Sequence, residues 1–136
     1  MTLGAASAVL VVDDDADHAQ IARLVLRSLA PSTAVEVVHN APSAVARLGA
    51  LPRGAVVLID RRLHGAESFD TVVEMRSLRP DVSVVMLSAA LSSIDRAYAL
   101  ACGAADAFEK PASLDGWREM LAAIVGADTA VARRAA

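Results

Sequence analysis

Aromatic side chains are scarce in this sequence: one Trp, one Tyr and two Phe make up 3% of its 136 residues. Base-stacking surfaces and aromatic ligand cages need several rings and are not expected here. The core has to be aliphatic. Cysteine is nearly absent as well. Cys102 alone excludes an internal disulfide and suits a reducing cytosol, so a cytoplasmic location is expected. No apolar run approaches the roughly 18–20 residues a membrane helix needs, so no membrane association is expected. The N-terminal apolar run has no basic flank and stops at Asp13, which reads as a strand and not as a secretion signal. Positive charge is not concentrated either. The net charge is −3, the pI is about 5.5, and Arg133-Arg134 is too small a patch, so direct nucleic-acid binding is not expected.

What the chain has in quantity is apolar residues, 55% of the total, with a mean hydropathy of +0.45. Its length suits one domain, which buries roughly two-thirds of its unfolded surface. There is no repeat, no low-complexity tract and no internal linker. Residues 1–7 are expected to be a flexible N-terminus, 8–126 the folded domain and 127–136 a flexible tail.

Strand and helix patterns alternate. Strands are predicted at about Ala8–Val12, Ala34–Val38, Ala55–Ile59, Val82–Leu87 and Ala105–Phe108. Helices are predicted at about Asp17–Leu29, Pro42–Leu48, Glu67–Leu78, Ser93–Cys102 and Leu114–Val125. The first helix should turn Ile21, Leu24, Val25 and Leu29 inward, and the last Leu114, Trp117, Leu121 and Ile124. Gly49 and Gly103 are expected as helix terminators, and Ser92 or Ser93 and Ser113 as caps. This alternation is the pattern of an α/β, flavodoxin-like (βα)5 fold, a doubly wound parallel sheet of strand order 2-1-3-4-5.

In that order, four neighbouring strands end at Asp13 and Asp14, at Asp60, at Ser88 and at Lys110, along the edge where open α/β sheets bind ligands. Clustered carboxylates repel one another, and a divalent cation resolves the conflict. An all-oxygen site with few carboxylates favours Mg²⁺ (or Mn²⁺). With a lysine and a hydroxyl alongside, the site reads as phosphoryl transfer to a carboxylate. Asp60 is the expected nucleophile, being the single acid at its strand end.

At these residues the chain resembles the receiver domains of bacterial two-component response regulators. The likeness rests on Val11-Val12-Asp13-Asp14, Leu58-Ile59-Asp60, Met86-Leu87-Ser88-Ala89, and Gly103-Ala104 through Lys110-Pro111, and covers about residues 8–125. It implies that Asp60 accepts a phosphoryl group from a histidine kinase. It implies that Asp13, Asp14, Asp60 and the backbone carbonyl of Arg62 hold the metal, with one of Asp13 and Asp14 acting directly and the other through water. Ser88 and Lys110 take the switch and phosphate-binding positions. Arg62 and Ala90 take positions that tune dephosphorylation, and Lys110-Pro111 is expected to be cis. The only catalysis implied is of its own phosphorylation and dephosphorylation, so the chain is not expected to be an enzyme otherwise. No output domain follows residue 126 in this sequence. A stand-alone receiver is therefore expected, partnered by a histidine kinase or histidine phosphotransferase and an output protein. A homodimer through helix 4, strand 5 and helix 5 is expected as an alternative use of the same face.

The sequence departs from the family pattern in places. Ala107 stands where an aromatic is often found, and Phe108, one place on, should face the other way. His64 replaces a frequent Pro, and Glu67-Ser68 a frequent Asp-Gly. Asp15 reads as a cap, His18, His39 and His64 as solvated residues, and Cys102 and Trp117 as packing residues. Arg61-Arg62 read as surface charge placed beside the nucleophile. Two other functions are compatible with the residues. One is a pseudo-receiver that binds partners without phosphate. The other is a small phosphohydrolase with Asp13 as nucleophile and Asp15 as acid.

Overall fold

Val9 to Val12 are each 3% exposed or less, a degree of burial that needs cover on both faces of a strand. They belong to β1 (Ala8–Val12), which lies between β2 (Ala34–Val38) and β3 (Val56–Asp60) in a five-stranded sheet completed by β4 (Ser83–Ser88) and β5 (Asp106–Glu109). All pairings are parallel, and the order is β2-β1-β3-β4-β5, the doubly wound flavodoxin-like order expected. The computed structural model describes residues 6–126. Of the segments expected to be flexible, 1–5 and 127–136 lie outside the described residues. Ala6 and Ser7 lie inside and are hydrogen-bonded, Ala6 N–H to the Val125 carbonyl and the Ser7 carbonyl to Ala34 N–H, both at 3.1 Å.

Alternation along the strands divides the core. Leu10, Val12, Val57, Ile59, Val84, Met86 and Ala107 face α2 (Ala41–Arg47), α3 (Phe69–Leu78) and α4 (Ser93–Ala101). Val9, Val11, Val56, Leu58, Val85 and Leu87 face α1 (Ala16–Leu29) and α5 (Leu114–Val125), with Phe108 packed on this side. Ala107 and Phe108 therefore do face opposite ways.

Two residues expected to point inward do not. Leu24 is 54% exposed and Leu114 57%. The buried stripe of α1 is Ala22, Val25 and Leu26, beginning at Ala19; small side chains seat the helix close to the sheet, and Leu24 falls on the far side. Leu114 is the first residue of α5, and its stripe begins at Trp117. Gly49 does not end α2. It sits in a 3₁₀ turn, Leu48–Ala50, that continues the helix. Helix α3 starts at Phe69, because Ala66 and Glu67 are instead paired with Leu63 and Arg62 in a short antiparallel hairpin. Among the described residues, no helix is long and apolar enough to cross a membrane.

Candidate functional site

Lys110, the only lysine in the sequence, is held where β5 ends by its N–H to the Ser88 carbonyl at 2.7 Å. Its ammonium donates to Asp13 Oδ2 at 2.8 Å, to Asp60 Oδ2 at 2.9 Å and to His18 Nδ1 at 2.9 Å. All three of its donors are thus used. The side chains of Lys110 and Asp13 are 7% and 6% exposed, so these charges interact with little screening. Burial pulls the Lys110 ammonium down, but the hydrogen bonds and charges of Asp13 and Asp60 outweigh it and leave its pKa above the ordinary lysine value. Burial also pushes the Asp13 carboxyl up, with the charge of Asp60 adding to it, against the pull of Lys110 and the Asp15 N–H. The Lys110-Pro111 bond is trans, not cis as expected. The two isomers of an X–Pro bond differ by only about 0.5–1 kcal/mol, and here the strand exit is aimed by Lys110's own hydrogen bonds.

Asp13, Asp14 and Asp60 come together as predicted, each offering a carboxylate oxygen, with all three atoms within 4.8 Å of one another. An all-oxygen, acidic set of this kind fits a hard divalent cation such as Mg²⁺ or Mn²⁺. Asp14 Oδ2 accepts from the His64 N–H at 2.9 Å, and Asp60 Oδ1 from the Arg62 N–H at 3.1 Å. Asp15 stays out of the cluster and caps α1, accepting from Asp17 and His18 N–H groups.

The loop after Asp60 is shaped by the hairpin. Leu63 pairs with Ala66, and both residues between them have positive φ, His64 at 52° and Gly65 at 78°. That is the signature of the type I′ turn. Proline, with φ fixed near −65°, is incompatible with position 64 of this turn, which accounts for the departure from the family pattern. Ser68, 2% exposed, gives its hydroxyl to the Asp60 carbonyl at 2.7 Å, and its N–H goes to the Arg61 carbonyl at 2.8 Å.

Ser88 lies at the rim but its hydroxyl donates to the Ala90 carbonyl at 2.7 Å, not to Asp60. Asp60, Arg62, Ser88, Ala90 and Lys110 line one cavity of about 670 Å³, together with His18. Ala107 is buried beneath α4 and does not line it. His39 and His64 are exposed, as expected, and His18 is half-buried, but each is tied by a hydrogen bond. His18 takes a Lys110 donor, His39 Nδ1 donates to the Asp13 carbonyl at 3.0 Å, and His64 Nε2 donates to the His39 carbonyl at 3.0 Å. For His18 a signal exists: it stands at i−4 from Ala22 and i−7 from Val25, on the face of α1 that packs on the sheet. For His39, His64 and Ser68 the partners are remote in sequence or depend on the turn.

A family model for the response regulator receiver domain matches residues 9–122. The DNA-binding response regulator MtrA of Mycolicibacterium paratuberculosis is 37% identical over 105 residues, covering 76% of this chain and 44% of that protein. The sensory transduction protein RegX3 of Mycolicibacterium smegmatis is 35% identical over 133 residues, covering 96% of this chain and 52% of that protein. The chain thus spans about half the length of these curated relatives. Among solved structures, a Burkholderia pseudomallei response regulator with a phosphorylated aspartic acid, a calcium ion and citrate superposes with a TM-score of 0.71 at 26% identity. The match covers 86% of this chain and 65% of that one.

Proposed function

This chain belongs to the family of response regulator receiver domains of two-component signalling, and on that premise we propose that Asp60 is its phosphoryl acceptor. The observation that carries the reading is Lys110, whose buried side chain contacts Asp13 and Asp60 at once. An Asp60 carboxylate oxygen attacks phosphorus in the phosphohistidine of a kinase or phosphotransferase. The P–N bond breaks, its electron pair stays on the imidazole, and an aspartyl phosphate forms. Asp13, Asp14, Asp60 and the Arg62 carbonyl would hold Mg²⁺ or Mn²⁺, which would supply positive charge for the phosphoryl oxygens. Lys110 turns its Asp60-facing donor to a phosphoryl oxygen and keeps its bond to Asp13. Ser88 releases the Ala90 carbonyl, a hydrogen bond worth roughly 1 kcal/mol, and donates to the phosphoryl group. Arg62, exposed and paired with Glu67, and Ala90 stand at the rim, where they tune access of hydrolytic water.

The domain acts in the cytoplasm through protein partners and not by binding nucleic acid itself. Output runs through α4, β5 and α5, by an output protein or a second copy. One observation favours the phosphate-independent reading: the Ser88 hydroxyl is already satisfied within its own loop.

The test is labelling with acetyl phosphate and Mg²⁺, borohydride reduction and peptide mass mapping. One phosphoryl group on Asp60, lost in Asp60→Asn, is expected. Label on Asp13 would favour the phosphohydrolase. No label, with no response to beryllofluoride, would favour the pseudo-receiver.

A further inference from the structure

We infer that Arg61 is a positioning residue that couples the acceptor loop to the N-terminus of α4. The inference rests on Asp60 being the acceptor. Arg61 follows Asp60 directly, and its backbone is pinned on both sides. Its N–H donates to the Leu87 carbonyl at 2.8 Å, and its carbonyl accepts from Ser68 at 2.8 Å. A shift of the Asp60 backbone therefore carries Arg61 with it.

The side chain of Arg61, 20% exposed, crosses from β3 to α4. Nη1 donates to Asp95 Oδ2 at 2.9 Å and Nε to Glu67 Oε2 at 3.0 Å. The guanidinium also sits 5.4 Å from the centroid of the Phe69 ring, within cation–π range. Phe69 in turn meets Tyr98 of α4 edge-on, with centroids 4.7 Å apart. Arg61 thus reaches α4 by two routes, one charged and one aromatic.

The charged route ends on an atom with two duties. Asp95 Oδ2 accepts from Arg61 and also from the Ser92 N–H at 3.3 Å, while Asp95 N–H donates to Ser92 Oγ at 3.1 Å. That reciprocal pair is the capping box of α4. Moving Arg61 pulls on the carboxylate that closes the helix end. The helix is free to respond, because Ala99 is its only buried residue. Ile94 and Tyr98, 79% and 55% exposed, would be repositioned. The strand beneath α4 offers the small Ala107, so no ring from β5 competes for the task.

The test uses beryllofluoride with Mg²⁺ as the phosphoryl mimic and amide NMR as the readout, on wild type, Arg61→Met, Asp95→Asn and the double variant. Met keeps an apolar stem over Phe69, and Asn keeps an acceptor for Ser92. In wild type, amides of Asp14, Ser88 and Lys110 and those of α4 should shift together. In each single variant the site amides should still shift, with mimic affinity within about threefold of wild type, while the α4 shifts fall by about half or more. The double variant should lose no more than either single one, as expected for two groups acting through one contact. A purely structural role would lower stability and leave the α4 shifts intact, and that result in both single variants overturns the inference. If Arg61→Met does not fold, Asp95→Asn decides the matter alone. Absence of shifts at the wild-type site would overturn the acceptor reading, and the coupling with it.

Discussion

Helices α4 and α5 cover opposite faces of the same strands, β4 and β5, and are held by different forces. α5 buries Trp117, Met120, Leu121, Ala122 and Val125, so it is fixed by apolar packing against Val85 and Leu87. α4 buries Ala99 alone. Apart from the edge-on contact of the exposed Tyr98 with Phe69, its other attachments are polar and partly wet: the capping box, Arg61 to Asp95, and Arg96 to Asp106 at 2.7 Å. Apolar packing is stiff, because any displacement opens a void. Exposed ion pairs are weak and easily exchanged for water. On the proposed coupling, the helix that would answer a change at Asp60 is the one attached by contacts that rearrange cheaply.

Truncation of the α5 core should give the largest effect. Leu121→Ala is expected to cost about 2–5 kcal/mol in urea unfolding, and a much smaller loss would break the contrast. Ser92→Ala removes one side of the α4 capping box and is expected to cost about 1 kcal/mol. Its effect should be concentrated in faster amide exchange of α4, with α5 protection unchanged. Ile94→Ala, in spite of its size, should stay within about 0.5 kcal/mol of wild type, as for exposed positions generally.

The smallest effect is a titration. Hydrogen bonds from Ser92, and then the Arg61 guanidinium, hold the Asp95 carboxyl below its ordinary value. A depressed carboxyl contributes stability that is present above the ordinary carboxylate range and lost as pH falls through the lower folded value. Side-chain carbonyl NMR should therefore give Asp95 a midpoint below that of an ordinary aspartate, and Arg61→Met should move it upward. An Asp95 midpoint indifferent to Arg61 would show the pair to be too solvated to couple anything.

The backbone of the fold was legible to within a residue or two. β1, β2 and α5 begin and end where alternation, β-branching and caps placed them. So was the cluster of Asp13, Asp14, Asp60 and Lys110, because strand ends in a parallel sheet have to converge. The hairpin that delays the start of α3 from Glu67 to Phe69 was not legible. Its turn needs positive φ at His64, and its closure is the Ser68 N–H to the Arg61 carbonyl. Leu24 and Leu114 looked like core residues because periodicity gives the width of an apolar stripe and not its centre.

Local chemistry written in the sequence determined the strand and helix order, the aliphatic two-faced core and the convergence of three carboxylates and one lysine, since period, capping and charge are properties of short segments. Tertiary structure alone decided where each polar group found its partner: His18 on Lys110, Ser88 on the Ala90 carbonyl, Ser68 on the Asp60 carbonyl and Arg61 on Asp95. Burial obliges polar groups to pair. Which partner each takes depends on distances between elements, which no single segment contains.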